Sequence, residues 1–146
     1  MARASAIKLA MANLIESIVP NDQTTASDTF RYLDAGSIDY EAMPDRVFVI
    51  KLASQPQRIE INNCDTYQVG YDIQFFYAAS QSGIEDRIAD DTEMVSSKVE
   101  RLFETVGGVM RVDIDPAGLV EISDSTIVSV FSVLIKYQLD STVVNN

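Results

Sequence analysis

The stretch Tyr67-Gln68-Val69-Gly70-Tyr71-Asp72-Ile73-Gln74-Phe75-Phe76-Tyr77 decides the fold, because apolar side chains take every second position across it. Successive side chains of a β-strand point to opposite faces. Tyr67, Val69, Tyr71, Ile73, Phe75 and Tyr77 therefore share one greasy face, while Gln68, Gly70, Asp72 and Gln74 lie on the other. A strand of this kind needs neighbouring strands and a covering layer to bury its apolar side.

Working upstream, Phe48, Ile50 and Leu52 alternate with Val49, Lys51 and Ala53, a second strand that Pro56 is expected to break. Ile59 and Ile61 resume the alternation, and Asn63-Cys64-Asp65 is turn chemistry. Residues 30–33 read as a short strand. At the start of the chain Ile7, Met11, Leu14, Ile15 and Ile18 trace one stripe of an α-helix over residues 2–19, ended by Pro20.

Working downstream, Ser82 and Glu85 are spaced as a capping box. The stripe Ile84, Ile88, Val95, Val99, Leu102, Phe103 and Val106 then predicts a single amphipathic helix that Gly107 and Gly108 end. At 1.5 Å per residue, residues 84–106 would make a rod of ~35 Å. Glu85, Asp86, Asp90, Asp91 and Glu93 crowd its first half, where acids interact favourably with the helix dipole. Met110, Val112 and Ile114 begin a strand, and Asp115-Pro116-Ala117-Gly118 fits a type I turn returning residues 119–122 antiparallel to it. A second turn near Asp124 leads to a last strand over residues 126–139. There Ile127, Phe131, Val133, Ile135, Tyr137 and Leu139 share a face, with Val128, Val130 and Leu134 opposite. The expected fold is α+β, a mainly antiparallel sheet with an N-terminal helix and a long amphipathic helix on one face. One domain spans residues 1–140, followed by a polar tail over 141–146.

The 146 residues carry 22 acids and 11 bases, for a net charge of −11. Binding to phosphate backbones needs clustered bases, whereas the arginines and lysines here are scattered singly. The acidity fits solubility, a salt-adapted source, or a wall past which DNA slides without sticking. Cys64 is the only cysteine, so no internal disulfide or cysteine cluster is available, which fits a reducing compartment. No apolar run reaches membrane-spanning length, and no membrane partner is expected.

The chain has no histidine, the commonest general base, and no phosphate-binding or nucleophile-elbow motif. No catalytic residue, cofactor or metal is expected. The window from Asp113 through Asp115, Glu121 and Asp124 matches part of a calcium loop, but Pro116 and Ala117 sit where that loop needs flexibility and a ligand, and a hairpin turn explains the same residues. Asp86, Asp90, Asp91 and Glu93 read as an acidic helix surface. The loop over residues 34–45 displays Ile38, Tyr40 and Met43 beside Glu41, and apolar loop residues often mark a partner site. Val128, Val130 and Leu134 give the last strand a second face more apolar than solvent requires.

The order of helix, strands, amphipathic helix and closing strands over nearly the whole chain resembles the tail terminator (tail-completion, neck) proteins of tailed bacteriophages. The resemblance implies a structural virion protein without catalysis, forming a homohexameric ring on the head-proximal end of the tail tube. Its partners would be the tail tube protein and a head connector or stopper protein, with DNA passing non-specifically through an acidic lumen. It would reside in the virion neck, and in host cytoplasm during assembly. It implies that Ile38, Tyr40, Glu41 and Met43 contact tube or connector, and that Val128, Val130 and Leu134 lie in the ring interface. A head-side connector or tail-tube subunit is the near alternative. From another class, a small-molecule-binding or regulatory α+β domain would act as a dimer. An enzyme using carboxylates alone would need two acids with strongly perturbed pKa values in one cleft.

Overall fold

The computed structural model describes residues 3–20, 29–34, 45–59, 65–79, 83–123 and 125–139. Its elements are α1 (Ala4–Glu16), β1 (Arg31–Tyr32), β2 (Val47–Arg58), β3 (Thr66–Ala78), α2 (Ile84–Val99), α3 (Leu102–Thr105), β4 (Val109–Ser123) and β5 (Thr126–Gln138). The strands form one sheet in the order β1-β2-β3-β5-β4, antiparallel except for the short β1–β2 pair. This is an α+β fold with the alternating strand β3 at the centre of the sheet, paired with β2 on one side and β5 on the other.

The greasy face of β3 is the floor of the core. Ile7, Met11 and Ile15 from α1, Ile88, Val95 and Val99 from α2, and Leu102 from α3 all pack on it. Phe75 is the hub: its ring lies 5.4 Å from Phe30, 5.3 Å from Phe48 and 5.4 Å from Phe131, two of these edge-on. Such aromatic pairs contribute more than their area alone. The Tyr71 hydroxyl donates to the Ala4 carbonyl at 2.9 Å, tying the first turn of α1 to the sheet.

Five expectations are corrected. Pro56 does not break β2, which continues to Arg58 with register shifts between Leu52 and Ser54 and between Ser54 and Gln57. Pro56 sits in the irregular stretch between the register partners Ser54 and Gln57, on a part of β2 with a partner on one side only among the described residues, where a strand tolerates proline. The window Asp115–Gly118 is not a turn: β4 runs straight through it. Asp115, Pro116 and Gly118 oppose Ser132, Phe131 and Val130 of the 13-residue β5. The irregularity falls at Pro116/Gly118, where Gly118 takes φ 134°, a conformation open to glycine.

The helix over 84–106 is not one rod. Its N-cap is Gly83 in the left-handed conformation rather than Ser82, which lies outside the described residues. At its far end Glu100 and Arg101 separate α2 from α3. The bend turns Leu102 and Val106 into the core and leaves Phe103 52% exposed, so Phe103 does not belong to the buried stripe.

Burial pushes the Tyr71 phenol up to about 12, with Tyr137 and Tyr32 adding to the effect. The unfolded chain releases this proton near the ordinary value of about 10. Stability from this group is therefore complete below pH 10 and is lost as pH rises towards 12. Tyr71→Phe should cost about 1 kcal/mol at neutral pH, from the lost bond to Ala4. It should also make the alkaline loss of stability shallower in urea melts at pH 9 to 12.

Candidate interaction surface

The residues entering β2 build an ion-paired clamp on α2. Asp45 and Arg46 are consecutive, while Arg87 and Asp91 are one helical turn apart. Asp45 pairs with Arg87, and its other oxygen accepts the Ala78 N–H at 3.0 Å. Arg46 grips Asp91 with two parallel bonds, from Nε at 3.0 Å and from Nη2 at 2.9 Å. The Tyr77 hydroxyl donates to the same carboxylate at 2.9 Å. Burial, then the Asp91 charge, hold the Tyr77 phenol far above its ordinary range. It thus remains a donor.

Arg46 and Asp91 are each 1% exposed, so the clamp is interior. The Arg46 guanidinium also lies 5.5 Å from the centre of the Phe30 ring. Its backbone has φ 58°, a left-handed conformation that costs a non-glycine residue about 1–2 kcal/mol. Its N–H donates to the Phe76 carbonyl at 2.7 Å and its carbonyl accepts the Arg31 N–H at 3.1 Å. The left-handed turn thereby launches β2 beside β3 while aiming the side chain at α2.

Asp91 is therefore not part of an acidic surface, which corrects the sequence expectation. Asp86, Asp90 and Glu93 are exposed on α2. A signal for the clamp existed in the sequence. Ile88 and Val95 of the stripe are seven positions apart, and Asp91 fills the helical step between them. An acid on an apolar stripe demands a buried cation.

The second face of the sheet divides. Val49, Phe76 and Val128 form a small buried cluster with Leu33 and Val130 packed against it. Val128, at 3% exposure, is already internal and is not available to another subunit, and Val130 is half-buried. Leu134 remains 39% exposed. Ile38, Tyr40, Glu41 and Met43 lie outside the described residues.

Sequence reading missed the outer strand. β4 ends the sheet order, and among the described residues its ladder partner is β5 alone. From Asp115 to Ile122 every residue is exposed, including Leu119 at 59%, Val120 at 54% and Ile122 at 37%. Expecting a hairpin at 115–118 hid this, since a hairpin would have covered the edge. At the other end of the sheet residues 52–58 of β2 are likewise exposed, beyond the short reach of β1.

The geometry defines an α+β protein whose mostly antiparallel sheet carries its helices on one face and leaves an outer edge apolar. No family model matches the chain, and no curated protein matches it. Among the described residues no helix is long and apolar enough to cross a membrane.

Asp91→Ala should destabilise the chain by about 3–5 kcal/mol in urea denaturation, because it strands a buried guanidinium. The double variant Arg46→Met with Asp91→Leu should recover most of that loss, since no buried charge is left uncompensated.

Proposed function

We propose that this chain is a structural subunit of a phage tail neck. Its copies close into a six-fold ring on the head-proximal end of the tail tube, end tube growth, and offer the surface on which a head connector or stopper docks. The single observation that carries this reading is the apolar outer strand, with Leu119, Val120 and Ile122 exposed along β4. Apolar side chains exposed on both faces of an outer strand suit a protein contact, and a paired strand edge is a common way to join copies. The order of elements fits the same family. Exposed Asp86, Asp90 and Glu93 suit a surface past which DNA moves without adhering.

A second reading rests on an open groove of about 520 Å³ between the end of α1 and α2, with Ile18, Val19 and Met94 beside Lys98 and Arg101. An apolar wall with two cations against one acid, Glu93, suits a small anionic ligand, which a regulatory domain would bind as a dimer.

Light scattering and negative-stain imaging separate the two. The neck reading expects six-fold rings with a central hole, formed alone or on added tail tubes. A stable dimer that ignores tail tubes and binds small anions would support the second reading instead. Charged substitutions Ile38→Asp and Tyr40→Asp should impair docking to tube or connector while leaving thermal stability unchanged. Undiminished docking would remove that loop from the contact surface.

A further inference from the structure

The outer strand β4 has one ladder to spare. It ends the sheet, and among the described residues its partner is β5 alone. Such a strand offers a row of main-chain N–H and C=O groups to any extended segment laid beside it. The register is unbroken from Gly118 to Glu121 and irregular on both sides of that run, at Pro116/Gly118 and at Glu121/Ser123. Pro116 has no N–H to give. An added strand here is therefore short, about five residues.

The register also assigns each exposed side chain to a face. Leu119 and Glu121 lie level with Ser129 and Ile127 on the face that carries the helices. Val120 and Asp115 lie level with Val128 and Ser132 on the opposite face. Residues directly across a ladder share a face. A segment seated on β4 must set one apolar side chain against Leu119, the next against Val120 on the other face, and a base against Glu121.

The charge along this edge has one sign. Residues 112–122 hold Asp113, Asp115 and Glu121 and no base. Asp113 is paired with Arg111 at 3.0 Å, in an exposed contact. Among the described residues no ion pair joins Asp115 or Glu121. Beyond the irregularity at Pro116 opens a groove of about 500 Å³, lined by Glu100, Asp113 and Asp115 beside Val112, Ile114 and Leu134. Apolar walls next to carboxylates suit the long stem and charged head of an arginine or lysine.

We propose that β4 takes up an extended apolar and basic segment of another protein as an added strand, with one base against Glu121 and a second in the groove at Asp115. This specifies the docking surface put forward above and rests on β4 being a contact. A second copy of the chain is a poor occupant. Laying β4 on β4 brings two copies each of Asp115 and Glu121 to one short seam without a base, and like charges across strands are destabilising. The net charge of −11 also sets whole copies against each other.

The probe is a threonine-rich peptide of about ten residues, with valines and two arginines spaced for these positions and made in both sequence directions. Control peptides carry glutamate in place of arginine, or N-methyl groups on alternate amides. By fluorescence anisotropy with the full chain, the arginine peptide should bind about tenfold tighter than either control. Hydrogen exchange at residues 118–122 should slow when it binds. The double variant Asp115→Lys with Glu121→Lys, its fold checked by circular dichroism, should instead prefer the glutamate peptide. Equal binding of the N-methylated peptide overturns the added strand, and an unchanged preference in the double variant overturns the assigned charges. If no peptide binds while rings form on tail tubes, the strand proposal is wrong and the neck reading stands. Uptake of the arginine peptide by a chain that never forms rings keeps the added strand and removes the six-fold ring. Neither uptake nor rings overturns both.

Discussion

The bond between Arg46 and Asp91 is the constraint on which the architecture turns. It joins the first residue before β2 to the middle of α2, and Tyr77 adds β3 to the same carboxylate. A buried pair is a costly way to join a helix to a sheet, since two charges leave water. Its return is geometric. The forked guanidinium accepts one orientation of Asp91, and the adjacent pair Asp45–Arg87 repeats the restraint with the charges reversed. The left-handed backbone of Arg46 is held by the same contacts, so strain and ion pair persist together.

The clamp also orients what lies outside the core. With α2 fixed against β3, its acids Asp86, Asp90 and Glu93 face solvent, and Val95 and Val99 join the core that also holds Phe75. The helices are spent on one face of the sheet. Among the described residues, the opposite face closes over Val49, Phe76 and Val128 near the clamp, and residues 115–122 of β4 are left exposed. An apolar edge with few protecting devices is a liability in a monomer. Pro116, Pro56 and the bulges beside them blunt both edges in part, which favours a selective contact over indiscriminate sheet growth.

The local physics of the chain was legible wherever one element explained its own pattern. Period-two spacing identified β3 and β5, period 3.6 identified α1 and α2, and the absent histidine and scattered bases narrowed the chemistry. The errors have one source. Pro56, the Asp115–Gly118 window and the run from Val99 to Val106 were read by local preference, and tertiary partners decided otherwise. β5 is long enough to hold β4 extended through a proline, and the core draws Leu102 inward at the cost of a bent helix.

By itself, then, the sequence determined the element types, the greasy face of the sheet, the acidity of α2 and the lack of clustered cations, because each follows from side chains a few positions apart. Only the tertiary structure decided which acid is buried, which valine is internal and which strand lies at the edge. Asp91 reads as one of five similar acids until Arg46, 45 positions earlier, is folded against it. Val128 reads as a surface residue until Val49 and Phe76 enclose it. Edge position is a property of strand order, and strand order depends on contacts between segments far apart in the chain, which no local periodicity encodes.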